Sequence, residues 1–165
     1  MKTIGSHPGA SLFRLSLMII IVAILVVIFF RYVDDAQLEI ERQSVLQTKR
    51  IIDSTLAVVF ARYAVNGRLD DLNQLRGGNP FAFLEDYQLL PASYVGELDG
   101  DLTNDQAPGW YYLRNRELVV YKSRFRDVDR YFSIILNFRD IDQNGKFESG
   151  HDQFTSLQFV RQERR

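Results

Sequence analysis

The chain has 165 residues, with 20 Lys or Arg against 21 Asp or Glu and no cysteine. A net charge of −1 leaves no basic footprint for nucleic acid, which needs clustered Lys and Arg. The missing cysteine excludes disulfides, thiol nucleophiles and cysteine-zinc sites.

The first element is the run Leu15 to Phe30, sixteen residues without a charge. As a helix it covers roughly 24 Å, or about 28 Å counted from Leu12, against a hydrocarbon layer of ~30 Å. Arg14 lies near one end, where its guanidinium reaches the headgroups while its stem stays apolar. A cleaved secretory signal would end in a small-x-small site. Ile28, Phe29, Phe30, Arg31 and Tyr32 contain no small-residue pair. The reading is therefore a short leader over 1–11 and an uncleaved transmembrane helix over 12–30, in contact with lipid. Lys2 and Arg14 precede the uncharged run Leu15 to Phe30 with no acid. Arg31, Asp34, Asp35, Glu39, Glu41 and Arg42 follow it. The distribution of Lys and Arg puts the N-terminus in the cytoplasm and residues 31–165 outside, a single-pass arrangement. The exported part, roughly 135 residues, is long enough for one domain with its own core.

Beyond the span the helical pattern continues. Leu38, Val45, Ile52 and Val59 recur every seven residues, with Leu56 and Tyr63 on an adjacent row, which makes one apolar stripe. No Gly or Pro interrupts the chain between Gly9 and Gly67, and Asn66-Gly67 is a helix stop. An amphipathic extension is expected over 31–66. Its stripe needs a partner, either this chain's own domain or neighbouring copies in a coiled assembly. Residues 67–108 read as mostly irregular, with Phe81 to Leu84 and Tyr87 to Leu90 as single helical turns.

From Gly109 the pattern turns to strands: Trp110 to Leu113, Leu118 to Tyr121, Tyr131 to Phe138 and Phe154 to Val160, the first two joined by a turn at Arg114 to Glu117. Arg124 to Arg130 balances its charges and reads as a loop. The expected fold is α+β, a long N-terminal helix packed on an antiparallel sheet of about four strands, with residues 67–165 completing the exported domain.

Between the last two strands runs Asp140-Ile141-Asp142-Gln143-Asn144-Gly145-Lys146, followed by Asp152. D-x-D-x-N-G opens a calcium loop, because alternate side chains offer oxygens and Gly lets the chain bend around the ion. Asp140, Asp142, Asn144, the Lys146 carbonyl and Asp152 are the candidate ligands. The twelfth loop position, a bidentate Glu in an EF-hand, is His151, and strands rather than helices flank the loop, so this is no EF-hand. The competing reading is a polar loop whose Asn-Gly makes a tight turn. Calcium is the only cofactor with a candidate site. The two histidines are His7 and His151, and no nucleophile elbow, HExxH or phosphate loop is present. A carboxylate-only hydrolase has no specific sign in its favour, and a non-enzymatic role is expected.

The order of these parts resembles type IV pilins and pseudopilins. Gly9-Ala-Ser-Leu-Phe-Arg-Leu-Ser-Leu-Met-Ile-Ile-Ile-Val-Ala-Ile-Leu is similar to that family's N-terminal motif. Asn79-Pro80-Phe81, Pro91 with Tyr94-x-Gly96-Glu97, Pro108-Gly109-Trp110-Tyr111-Tyr112 and Leu118-x-x-Tyr121 resemble minor pilin-like proteins of the mannose-sensitive haemagglutinin (MSHA) type. The resemblance implies a component of type IV pilus biogenesis at the inner membrane, with a periplasmic or extracellular domain. It also implies other pilin-like subunits and inner-membrane assembly proteins as partners. Five residues past Gly9 the family usually has a glutamate that neutralises a neighbour's amino terminus. Arg14 stands there instead, bringing two positive charges together in a low-dielectric core. The resemblance thus implies a minor subunit or a membrane-held assembly factor rather than a major subunit. The alternative is a bitopic calcium-responsive binding protein of the cell envelope, with no filament.

Overall fold

The structure is a computed structural model that describes residues 8–125, 129–145, 147 and 151–163, and the side chains from residue 12 onward. Residues 1–7 of the leader, including Lys2 and His7, lie outside the described residues, as does part of the expected loop at 124–130. The chain divides into two compact units, Met1–Arg42 and Gln43–Arg165.

In the first unit the described residues are helical. Helix α1 spans Pro8–Val65, so its described turns begin before Leu12. Every side chain from Leu12 to Phe30 is exposed, Phe30 at 60%.

The second unit holds the later turns of α1, a 3-10 helix Leu69–Leu75, helix α2 Pro80–Asp86 and one sheet. Strands β1 Tyr94–Leu98, β2 Gly109–Leu113, β3 Leu118–Lys122, β4 Arg130–Arg139 and β5 Gln153–Gln162 lie side by side in sequence order. Four of them are the expected meander, with Trp110 opposite Tyr121, Val119 opposite Phe132 and Ile134 opposite Phe159. The fifth, β1, falls in the stretch expected to be irregular, and it pairs parallel to β2. The sheet therefore has five strands and is mostly rather than wholly antiparallel. Gly109 permits this pairing. Its φ of +147° suits glycine, and a Cβ there would stand 2.5 Å from the Ser93 carbonyl oxygen and 2.7 Å from Val95 Cγ2.

From Val45 onward the apolar stripe of α1 packs on this domain, as one of its two sequence readings has it. Val45, Ile52, Leu56 and Val59 are each at most 5% exposed, and Thr48 and Thr55 are buried beside them. They form one cluster with Trp110, Val119, Tyr121, Phe132, Ile134, Leu157 and Phe159 on one sheet face and with Phe81 and Leu84 of α2. Burying a Val, Leu, Ile or Phe side chain contributes about 1.5–3 kcal/mol, whereas an exposed ion pair contributes ~0–1 kcal/mol. Apolar burial, not the surface ion pairs, holds helix and sheet together. The other face carries a smaller cluster of Tyr111, Leu113 and Val120, covered by Leu98, Leu102 and Tyr131.

One polar contact fixes the helix against the sheet edge. Asp53 on α1 takes the Lys49 ammonium at 2.6 Å through Oδ2 and accepts the Phe159 backbone N–H at 3.0 Å through Oδ1. β5 is an edge strand, and this carboxylate satisfies one of its outward donors.

Two helix ends show why the chain turns where it does. α1 stops as expected: Gly67 has φ +67°, its N–H donates to Ala64 O at 3.1 Å, and Arg68 N–H donates to Tyr63 O at 2.9 Å. α2 stops at Asp86 by the same pattern, with Gln88 at φ +59°, Gln88 N–H on Glu85 O and Leu89 N–H on Leu84 O. The expected helical turn over Tyr87 to Leu90 is therefore absent, and Pro91 disfavours helical backbone at Leu90. The turn expected over Phe81 to Leu84 lies inside α2. Asn79 begins it by accepting the Phe81 N–H at 3.0 Å, with Pro80 next in the first position. The Asn79 amide also donates to Glu97 Oε1 at 2.7 Å and to the Tyr94 hydroxyl at 3.1 Å, tying α2 to β1.

Candidate functional site

The loop between β4 and β5 gathers most of the residues singled out as calcium ligands. Pairing of Arg139 with Gln153 sets Asp140 and Asp152 beside each other at the ends of the two strands. Asp152 is 8% exposed, and its Oδ1 accepts the Ile141 N–H at 2.9 Å. Gly145, at φ +76°, turns the chain so that its N–H donates to Asp140 Oδ2 at 2.7 Å. The Asn144 N–H is shared between Asp140 Oδ1 and Asp142 Oδ1, each at 3.3 Å. Below the loop the Phe147 ring stacks on Phe154 at 3.8 Å and meets Phe138 edge-on at 5.6 Å.

Asp140, Asp142 and Asp152 converge: one carboxylate oxygen from each lies within 4.8 Å of the others. Calcium–oxygen bonds are ~2.3–2.6 Å, so two oxygens on one ion can be no more than about 5 Å apart. The spacing suits a single hard cation, which would offset three negative charges held close together. Asn144 turns its amide nitrogen toward Asp142 Oδ2, at 2.8 Å, and so stands as a donor within the cluster. Lys146 lies outside the described residues. The Gly145 N–H holds the Asp140 carboxyl below the usual carboxylate range, with the Asp142 side chain and the Gln143 and Asn144 amides adding to the effect.

The other functional element is the first half of α1, a helix long and apolar enough to cross a membrane. None of its apolar window is buried, which separates it from the core helix of a soluble domain.

Two arrangements escaped the sequence reading. A cleft of about 560 Å³ opens where the end of α1 meets α2; it joins residues from either side of the Asn66-Gly67 stop, and no motif marks it. The β1–β2 connection is held to the β2–β3 hairpin by Arg114 on Glu97 and Asp99, Arg116 on Asp101, and the Lys122 ammonium on three carbonyls, those of Thr103, Asn104 and Gln106, at 2.6–2.8 Å. The charge alternation of Glu97, Asp99 and Asp101 opposite Arg114 and Arg116 was the available signal.

Comparison with protein-family models, with curated proteins and with solved structures finds no match to this chain.

Proposed function

We propose that this chain is a pilin-like minor subunit or membrane-anchored assembly factor in biogenesis of a type IV pilus of the MSHA type, resembling the biogenesis protein MshF. The observation that carries the reading is helix α1. One continuous helix has a first half of unburied apolar residues and a later part whose Val45, Ile52, Leu56 and Val59 are buried in the core of a sheet domain. On this reading residues 12–30 cross the inner membrane with the N-terminus inside, and the domain stands in the periplasm or beyond. The work done is association rather than catalysis: α1 packs with other helices in the bilayer, and the domain meets the assembly machinery. Arg14 supports a minor or assembly role, since a second cation beside a neighbour's amino terminus would weaken a packed filament core. The test is detergent extraction of the membrane form and identification of what co-purifies. Pilin subunits or inner-membrane assembly proteins are the expected companions; a protein recovered without either, from cells that assemble the pilus, refutes the filament role.

A second reading has its own observation, the convergence of Asp140, Asp142 and Asp152. Under it the chain is a bitopic calcium-responsive binding protein of the envelope. Extracellular calcium is millimolar, so even a Kd of about 10⁻⁴–10⁻³ M is enough to order the loop. Melting with calcium and with chelator decides it: an unchanged midpoint at millimolar calcium removes the metal.

A further inference from the structure

The cleft between the end of α1 and α2 holds two charged side chains that the fold does not use. Buried Val59 and half-buried Tyr63 and Phe83 form its apolar lining, Tyr87 adds a part-exposed ring, and the exposed Arg62, Asn66, Arg68 and Asp86 form its polar rim. Val59, Arg62 and Tyr63 are three and four residues apart on α1, and Phe83, Asp86 and Tyr87 are so spaced at the end of α2, so each helix presents one face to the same opening. Neither the Arg62 guanidinium nor the Asp86 carboxylate has a hydrogen-bond or ion-pair partner among the described residues, and the two are not paired with each other. Arg62 has a structural reason to be in the last turn of α1, where a cation suits the free carbonyls. Asp86 has none: it ends α2, where those carbonyls repel an anion. Arg68, by contrast, is engaged, with Nε on Asp71 at 2.7 Å and its guanidinium 5.7 Å from the Tyr63 ring centre.

We propose that this cleft binds a short peptide segment in which an acidic and a basic side chain flank an apolar or aromatic one. The volume lies in the range of ligand pockets, ~300–1,000 Å³, and suits about three residues. A phosphate or other simple anion would meet Asp86, and a simple cation would meet Arg62. A peptide with both charges satisfies each, while its apolar side chain covers Val59, Phe83 and Tyr63. The site stands apart from the carboxylate loop and does not rest on the filament reading.

The test uses the full chain in detergent micelles and saturation-transfer NMR, with the end-blocked tripeptides Glu-Phe-Lys and Lys-Phe-Glu and, as controls, the four orders in which Phe is terminal. At least one of the two with Phe in the middle should bind saturably and more tightly than the controls. Arg62→Ala should weaken it by roughly 10-fold, the loss of one charge-assisted contact, yet leave binding of the matching peptide with Gln for Glu unchanged. Asp86→Asn should act in the same way on the Lys position. Replacing Glu by Gln or Lys by norleucine in the peptide reads the same contacts on the unaltered protein, so a variant that misfolds does not remove the test. No saturable binding at millimolar peptide, or binding indifferent to both charges, overturns the proposal.

Discussion

Asp53 offers a sharp test of how α1 is held to the sheet. Replacing it by Ala leaves the Phe159 N–H without its acceptor and Lys49 without its ion pair. A hydrogen bond to a charged group contributes about 1.5–3 kcal/mol. Asp53 is 36% exposed at its side chain, so water partly replaces the lost acceptor and the lower end applies. The Lys49 pair, spaced i to i+4 and equally exposed, adds only ~0.3–0.5 kcal/mol. The expected loss for Asp53→Ala is about 2 kcal/mol, a fall in Tm of roughly 6–10 °C for a domain of this size. Asp53→Asn keeps an oxygen acceptor and removes the charge, so it should cost less than ~1 kcal/mol. Trp110 is the chain's single tryptophan and fully buried, so its fluorescence reports unfolding of the domain without interference from the apolar first half of α1. Equal melting of all three proteins, or an Asn variant as weak as the Ala one, would refute the claim that this carboxylate secures the strand edge.

Calcium at a few millimolar should raise the domain's melting temperature. The double change Asp140→Asn with Asp142→Asn should abolish that rise, and a calcium-induced rise that survives it contradicts the site. Glu97 is held below the usual carboxylate range by the Asn79 amide first and by Arg114 next. The ionised form is thus favoured in the folded state, so its contribution is complete above the ordinary glutamate pKa, about 4.3, and fades as pH falls through the lowered value. Glu97→Gln should therefore melt lower at neutral pH and converge on the parent once the pH has fallen below the lowered value; a gap that persists in strong acid contradicts the assignment. Gly109→Ala should cost more than about 2 kcal/mol, because the new methyl meets the Ser93 carbonyl oxygen at 2.5 Å in a backbone conformation alanine avoids. A near-neutral effect in denaturant unfolding would sink the close-approach argument.

What could be read from the sequence was local. The helix stop at Asn66-Gly67, the turn at Arg114 to Glu117 and the four strands from β2 to β5 each rest on short-range signals: a left-handed glycine, a polar turn between apolar runs, aromatic and β-branched residues in a row. β1 lacked such a signal. Tyr94 to Leu98 is five residues with Gly96 in the middle, and what makes it a strand is distant: β2 beside it, the Phe81 ring stacked on Tyr94 at 4.2 Å, and Asn79 and Arg114 on Glu97. The helical turn expected at Tyr87 failed for the same reason in reverse, because Gln88 takes a left-handed conformation that its residue type does not advertise. The carboxylate loop was legible because D-x-D-x-N-G is contiguous, and Asp152 joins it through the register of β4 with β5. The cleft of Arg62 and Asp86 was not, since two helix ends must first meet.

The central claim is that one N-terminal helix is rooted in a membrane and carries its domain on the non-cytoplasmic side. The native chain has no cysteine, so single cysteines can report the side directly. Glu163→Cys and Lys2→Cys variants, expressed in a bacterium and exposed as spheroplasts to a membrane-impermeant maleimide, are compared before and after lysis. The account predicts membrane-bound protein in which Glu163→Cys labels in intact spheroplasts and Lys2→Cys only after lysis. The reverse order, or an unlabelled full-length chain in the soluble cytoplasmic fraction, would contradict it.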